Sequence, residues 1–196
     1  MSTAKATLVR NTLETKISMA VTIGAEDKKG LNGSSGVGFF DHMLNSLAIH
    51  SGMLIELTMS GDLEVDCHHT IEDVGIVLGK LLCDIASQRA PLTRYGTSFI
   101  PMDEALARCV IDISGRPYLV FDYTPKAPMI GDYDTQMTVE FFRAVAFNMG
   151  ATLHMAVLYG ENDHHMTEAL YKAFAHALSE AITPKSGAVL SAKGTL

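Results

Sequence analysis

Two short runs of this sequence hold the residues best suited to chemistry. His68-His69-Thr70-Ile71-Glu72 returns as His164-His165-Met166-Thr167-Glu168, 96 positions further on. On a helix, residues four apart share a face, so His68 with Glu72, and His164 with Glu168, are each placed to grip one cation. The adjacent histidine turns away by about 100° at ~3.6 residues per turn, so His69 and His165 must serve something else. Two such helices packed face to face give a symmetric arrangement in which the odd histidine of one repeat completes the pair of the other. One cation would then take His68, Glu72 and His165, and the other His164, Glu168 and His69. Pattern leaves open whether the repeats come from one chain or from neighbouring subunits. A lone HHxxE is often only a satisfied polar group near a helix start, whereas two copies at matching places in two repeats favour metal. Imidazole and carboxylate donors without thiolate suit Mn, Fe, Co or Zn. Cys67, beside the first pair, reads as a buried thiol rather than a ligand.

These runs need elements to hold them. Thr15–Ile23 alternates apolar and polar residues as a half-buried strand does, glycines at 30, 33, 36 and 38 make a loop, and 40–50 carries a helical stripe closed by Gly52. A strand over 53–59 and a helix from Asp66 to about Ser87 follow. The second half repeats the scheme, with strands at 105–113 and 118–123, a helix at 136–149 closed by Gly150, a strand at Thr152–Tyr159 and a helix at 163–182. Asp66 and Asn162, both suited to cap a helix N-terminus, keep the spacing of 96, and Gly52 and Gly150 lie 98 apart. The latter spacing carries His42, which precedes His68 by 26, to Glu140, so His42 joins one ligand set and Glu140 the other. The reading is an internal duplication with repeats 1–91 and 92–183 and a tail 184–196, folded as an α+β, two-layer sandwich of βαβ-type repeats.

The chain has 196 residues, with 15 Lys and Arg against 22 Asp and Glu, for a formal charge of −7. Without a basic block it lacks the footprint that phosphate backbones demand, which argues against nucleic acid as a partner. No apolar run reaches the ~18 residues of a membrane span, and the N-terminus lacks a signal-peptide core. Cys67, Cys83 and Cys109 share no CxxC spacing, which fits a reducing, cytoplasmic compartment. Small-molecule chemistry is the class that remains.

Seven stretches, in order, resemble the imidazoleglycerol-phosphate dehydratase family of histidine biosynthesis: RNTLETK from Arg10, FFDHML from Phe39, GDLEVDCHHTIEDVG from Gly61, PMDEA from Pro101, DISGRP from Asp112, NDHHMTE from Asn162 and KGTL from Lys193. The resemblance implies a duplicated sandwich of the ribosomal protein S5 domain 2-like kind, a homo-oligomer of 24 subunits with shared sites, and two Mn2+ per active site. It assigns His42, His69, His164 and Glu168 to one metal and His68, Glu72, Glu140 and His165 to the other. It makes Glu14 the acid/base residue, and gives phosphate to Arg94, Arg116, Lys172, Ser191 and Lys193. His50 and Asp103 become supporting groups behind these. Some members carry His where Glu140 stands, and many have Asp-Gln where this chain has Asn45-Ser46. The implied reaction removes water from D-erythro-imidazole-glycerol phosphate to give imidazole-acetol phosphate, a carbon–oxygen lyase reaction. The carbon 2 proton has no carbonyl beside it, so a metal would stabilise the deprotonated imidazole that expels the carbon 3 hydroxyl. Two other readings of the twin clusters are a dinuclear metallohydrolase acting on a phosphate ester and a non-catalytic, metal-stapled assembly module.

Overall fold

Buried Ile17, Met19, Val21 and Ile23 alternate with outward residues along β2 (Thr15–Ile23), and the same period of two fixes each of its neighbours. The computed structural model describes residues 3–24, 29–89 and 91–187. In the first half β1 (Ala4–Asn11), β2, β3 (Gly30–Gly33) and β4 (Met53–Gly61) form a sheet in the order β1-β2-β4-β3, with α1 (Gly38–Ser51) linking the parallel pair β3 and β4, and α2 (His68–Arg89) following. The second half has β5 (Tyr95–Met102), β6 (Ala105–Asp112), β7 (Tyr118–Asp122), a short hairpin β8 (Met129–Ile130) and β9 (Tyr133–Asp134), α3 (Met137–Met149), β10 (Thr152–Tyr159) and α4 (Asp163–Ala181). Its main sheet runs β5-β6-β10-β7, again with the crossover pair, β7 and β10, parallel. The same hairpin, strand–helix–strand crossover and closing helix thus occur twice, as the duplication requires.

Each half is the expected sheet with helices on one face. The halves join through those helices, α2 packing on α3 and α1 on α4. The first contact is close because Gly75 and Gly79 present no side chain. A Cβ would stand 2.9 Å from the Phe141 carbonyl oxygen at one and 2.7 Å from that of Val145 at the other. Buried rings fill the centre, Phe141 stacking on Tyr171 at 5.3 Å and Phe142 meeting Tyr171 at 4.8 Å and Phe174 at 5.4 Å. Full burial of each such ring is worth about 1.5–3 kcal/mol. Gly52 and Gly150 end α1 and α3 at φ 75° and 71°, a left-handed turn that a residue with a Cβ adopts only with strain. These paired stops point β4 and β10 back across their sheets, which sets the starts of α2 and α4 at equivalent places.

Five strands differ from the sequence expectation: β1, β3, β5 and the short hairpin pair β8 and β9. The glycine-rich stretch at 30–33 is not a free loop but β3, because its backbone pairs with Leu54–Leu57 whatever its side chains are. β1 and β5 are hairpin partners of β2 and β6.

Candidate active site

Both double-histidine runs sit in the first turn of a helix and are fixed there by the residue that caps it. The Asn162 side-chain oxygen accepts from the backbone N–H of His164 at 2.9 Å and of His165 at 3.4 Å, and the Asp66 carboxylate accepts from that of His68 at 2.7 Å. The imidazoles therefore leave α2 and α4 at the rim of the fold, beside the tips of the hairpins.

On α4 the i,i+4 pair closes as expected, with His164 Nε2 3.2 Å from Glu168 Oε2. His42 on α1 brings its Nε2 to within 3.5 Å of the same oxygen, because α1 lies along α4. The ligand atoms of His42, His164 and Glu168 all fall within 4.8 Å of one another, the one such group among the described residues. Glu168 is 8% exposed, and its other oxygen is held by Lys172 Nζ at 2.7 Å. Burial works to raise the Glu168 carboxyl, but Lys172, with help from His42 and His164, outweighs it and holds the pKa below the ordinary value. Phe39 packs edge-on against His164 at 5.0 Å between ring centres. Two imidazole nitrogens and an ionised carboxylate oxygen converge on one point, a donor set that fits a divalent cation such as manganese or zinc.

The second pair is looser. His68 Nε2 stands 3.7 Å from Glu72 Oε2, both side chains being exposed. His68 and Glu140 line one cavity of about 410 Å3, together with Cys67, Tyr123 and Asp134. Glu140 is ion-paired with Arg143 on its own helix. Burial raises the Cys67 thiol pKa, as suits the bystander role read from the sequence.

The odd histidines do not cross to the opposite repeat within the chain. His69 Nδ1 lies 2.9 Å from Asp62 and its Nε2 3.7 Å from Glu14, while His165 Nδ1 lies 2.7 Å from Glu104 and its Nε2 3.5 Å from Asp103. The reason is packing. The face-to-face arrangement of the two histidine helices does not form, since α2 lies on α3 and α4 on α1. A carboxylate can only accept, so Asp62 and Glu104 place the proton on Nδ1 and leave each Nε2 free as a ligand atom. The Asp62 hydrogen bond raises the His69 pKa, and that of Glu104 raises His165. The backbone N–H of Asn162 and then His165 pull the Glu104 carboxyl down to about 2. Asp62 and Glu104 were not singled out in the sequence, although both stand inside motifs quoted above. Asp62→Ala is expected to weaken metal retention about 10–100-fold with the fold intact, read as metal per chain after dialysis against graded chelator. Unchanged retention would remove Asp62 from the site.

Lys172 gives its ammonium to Glu168, and His50, further along α1 than His42, meets His176 of α4, Nδ1 to Nε2, at 3.2 Å. Burial first, then Lys172 and His176, lower the His50 pKa. Ser46 keeps a buried hydroxyl without a partner, and the neighbouring Asn45 side chain accepts from the Leu31 N–H at 3.0 Å, tying α1 to β3. Arg94 is in a left-handed turn at φ 75° and gives its guanidinium to Asp112, at 2.6 and 3.2 Å. Arg116 lies in an exposed loop between β6 and β7. Ser191 and Lys193 lie outside the described residues.

The chain is similar to known proteins over most of its length. Residues 35–178 match the family profile described as imidazoleglycerol-phosphate dehydratase. A relative of that name from an Exiguobacterium species is 51% identical over 91% of this chain and 90% of its own length. One from Clostridium botulinum is 49% identical over the full length of both. Among solved structures, imidazoleglycerol-phosphate dehydratase from Staphylococcus aureus superposes with a TM-score of 0.83 at 39% identity, covering 93% of this chain and all of that one. The Pyrococcus furiosus enzyme, in complex with (S)-C348, gives 0.81 at 34% identity over 96% of this chain and all of its own. The chain belongs to the imidazoleglycerol-phosphate dehydratase family and is, with it, a hydro-lyase.

Proposed function

We propose that this protein converts D-erythro-imidazole-glycerol phosphate to imidazole-acetol phosphate in the cytoplasm, as a step of histidine biosynthesis that depends on two Mn2+ ions per active site. The observation that carries the reading is the convergence of His42, His164 and Glu168 in a chain of this family. His42, His69, His164 and Glu168 would hold one ion, and His68, Glu72, Glu140 and His165 the other. When bound, such ions supply Lewis acidity toward the substrate's imidazole nitrogens.

The chain's own residues supply the rest. Asp62 and Glu104 hold the odd histidines in one tautomer. Glu14, at the tip of the first hairpin, takes the carbon 2 proton; water leaves from carbon 3, and the resulting enol returns a proton to carbon to give the ketone. Lys172, with Arg94, Arg116, Ser191 and Lys193, receives the phosphate, the guanidinium forks and ammonium matching a dianion. His50 and Asp103 support these groups. Repeats 1–91 and 92–183 with the tail 184–196 act as one unit.

Each ligand set lacks its odd histidine within a single chain, which supports sites shared between copies in a 24-subunit assembly. A second observation favours association. The outer face of the second sheet exposes Tyr95, Phe99, Tyr118 and Val120, where the first sheet carries Lys5, Thr7, Lys16, Ser18 and Thr58 with Val9 as its one exposed large apolar residue. No helix of the described residues is long and apolar enough to cross a membrane.

The test is incubation of the manganese-loaded protein with imidazole glycerol phosphate, following both ketone and inorganic phosphate. Ketone without phosphate release is expected. Phosphate release would favour the metallohydrolase, and neither product would favour the metal-stapled assembly module.

A further inference from the structure

The hairpin that carries Glu14 is tied to α2 by a buried charge. Arg10, near the end of β1, donates from Nη1 to Asp73 Oδ2 at 2.8 Å, and the hydroxyl of Thr15, which opens β2, donates to the same oxygen. The Asp73 side chain is 8% exposed, and Thr15 is buried. Between them the turn is closed by Thr12, whose hydroxyl oxygen accepts from the backbone N–H of Glu14 at 3.2 Å and of Thr15 at 2.9 Å. The tip has no apolar anchor, since Leu13 projects fully into solvent. Asp73 lies one turn beyond His69 on α2, so this clamp fixes Glu14 relative to His68, His69 and Glu72.

The second repeat does without it. The position 96 residues beyond Asp73 is Ala169, and Ala105 opens β6 where Thr15 opens β2; both alanines are buried. The β5–β6 hairpin nevertheless packs on α4 as its counterpart does on α2. A buried ion pair is a poor source of stability, because apolar groups of similar volume usually do as well or better in its place. The fold thus has an apolar solution to this contact and uses it in one repeat, while the charged solution lies under the hairpin with Glu14.

We infer that Asp73, acting through Arg10 and Thr15, is a positioning residue for Glu14: it sets the distance of that carboxylate from the carbon 2 proton. The inference rests on the acid/base reading of Glu14 given above.

The experiment compares Asp73→Asn with the combined change Arg10→Met, Thr15→Ala and Asp73→Ala, which installs an apolar contact like that of the second repeat, both in the full-length, metal-loaded assembly. The kcat is expected to fall about 10–100-fold, as misplacement of a reacting group by an ångström does. KM and metal per chain stay within about twofold, since neither substrate nor metal contacts are removed. Amide exchange over residues 12–15 quickens. Glu14→Gln then costs far less in either background than in the parent, because coupled groups are not additive. Parent-like kcat in the combined variant, or full additivity with Glu14→Gln, overturns the inference. So does failure of the combined variant to fold, since the charged trio would then be a requirement of packing. If Glu14→Gln alone spares turnover, the acid/base reading falls and takes this inference with it; if it silences the enzyme while the combined variant keeps its rate, this inference alone is lost.

Discussion

Glu14→Gln is expected to silence turnover while bound metal, assembly mass and thermal midpoint stay at the parent values. The side chain is half exposed on a hairpin tip, so the amide neither opens a cavity nor strands a buried charge. Its Oε1 is 3.7 Å from His69 Nε2, the atom that Asp62 leaves free for metal, which puts the carboxylate beside the ligand sphere without being needed in it. The amide has the same shape but cannot accept a proton as a base, so the loss should be of the order of 10²–10⁴ in kcat, the usual contribution of a general acid or base. Substrate recovered from deuterated buffer should show no exchange at carbon 2. Loss of metal in parallel would make Glu14 a ligand and its assigned role wrong. Residual turnover above about a tenth would exceed what loss of the acid/base group allows. It would point to Asp103, which stands on the β5–β6 hairpin in the same relation to His165 as Glu14 does to His69.

The chemistry of single helices was legible in the sequence, and their mutual packing was not. The i,i+4 spacing alone places His164 with Glu168 and His68 with Glu72, and both pairs form. Glycine stops and polar caps likewise fix helix ends, because those signals act within a few residues of where they stand. A helical stripe, by contrast, says that a face is covered without saying by what. Pattern left open whether the two histidine helices face one another within a chain or between copies, and within the chain they do not, since the glycine faces of α2 take α3 instead. Asp62 and Glu104 escaped notice for a related reason: a lone carboxylate has no periodicity, and only the fold brings Glu104 from the β5–β6 turn to His165, 61 positions away. Arg94 takes its phosphate role from resemblance alone, and what the fold adds is that its guanidinium is paired with Asp112. β3 was missed because its pairing is made by backbone alone, where glycine side chains carry no pattern.

His42→Ala and His69→Ala, each inactive when expressed alone, are expected to regain about a quarter of parental activity when co-expressed, if subunits mix at random. The argument starts from placement. His42 stands in the cluster with His164 and Glu168, whereas His69 of the same chain is outside that cluster and engaged with Asp62 and Glu14. A site that needs both must take them from two copies. In a mixed assembly, one site in about four then combines an unaltered His42 from one chain with an unaltered His69 from another, and that site is of parental composition. Metal per chain should recover in the same proportion, which separates restored sites from any change in expression. Each single variant should hold less metal, and His68→Ala should in addition lower the mass in solution, because a shared ligand is also a joint between subunits. Absence of any recovery on co-expression, with mixed assemblies demonstrated by mass, would mean that both histidines reach the metal within one chain. The α2 start would then have to move toward α1, and the hydrogen bond of His69 to Asp62 would have to break when metal binds.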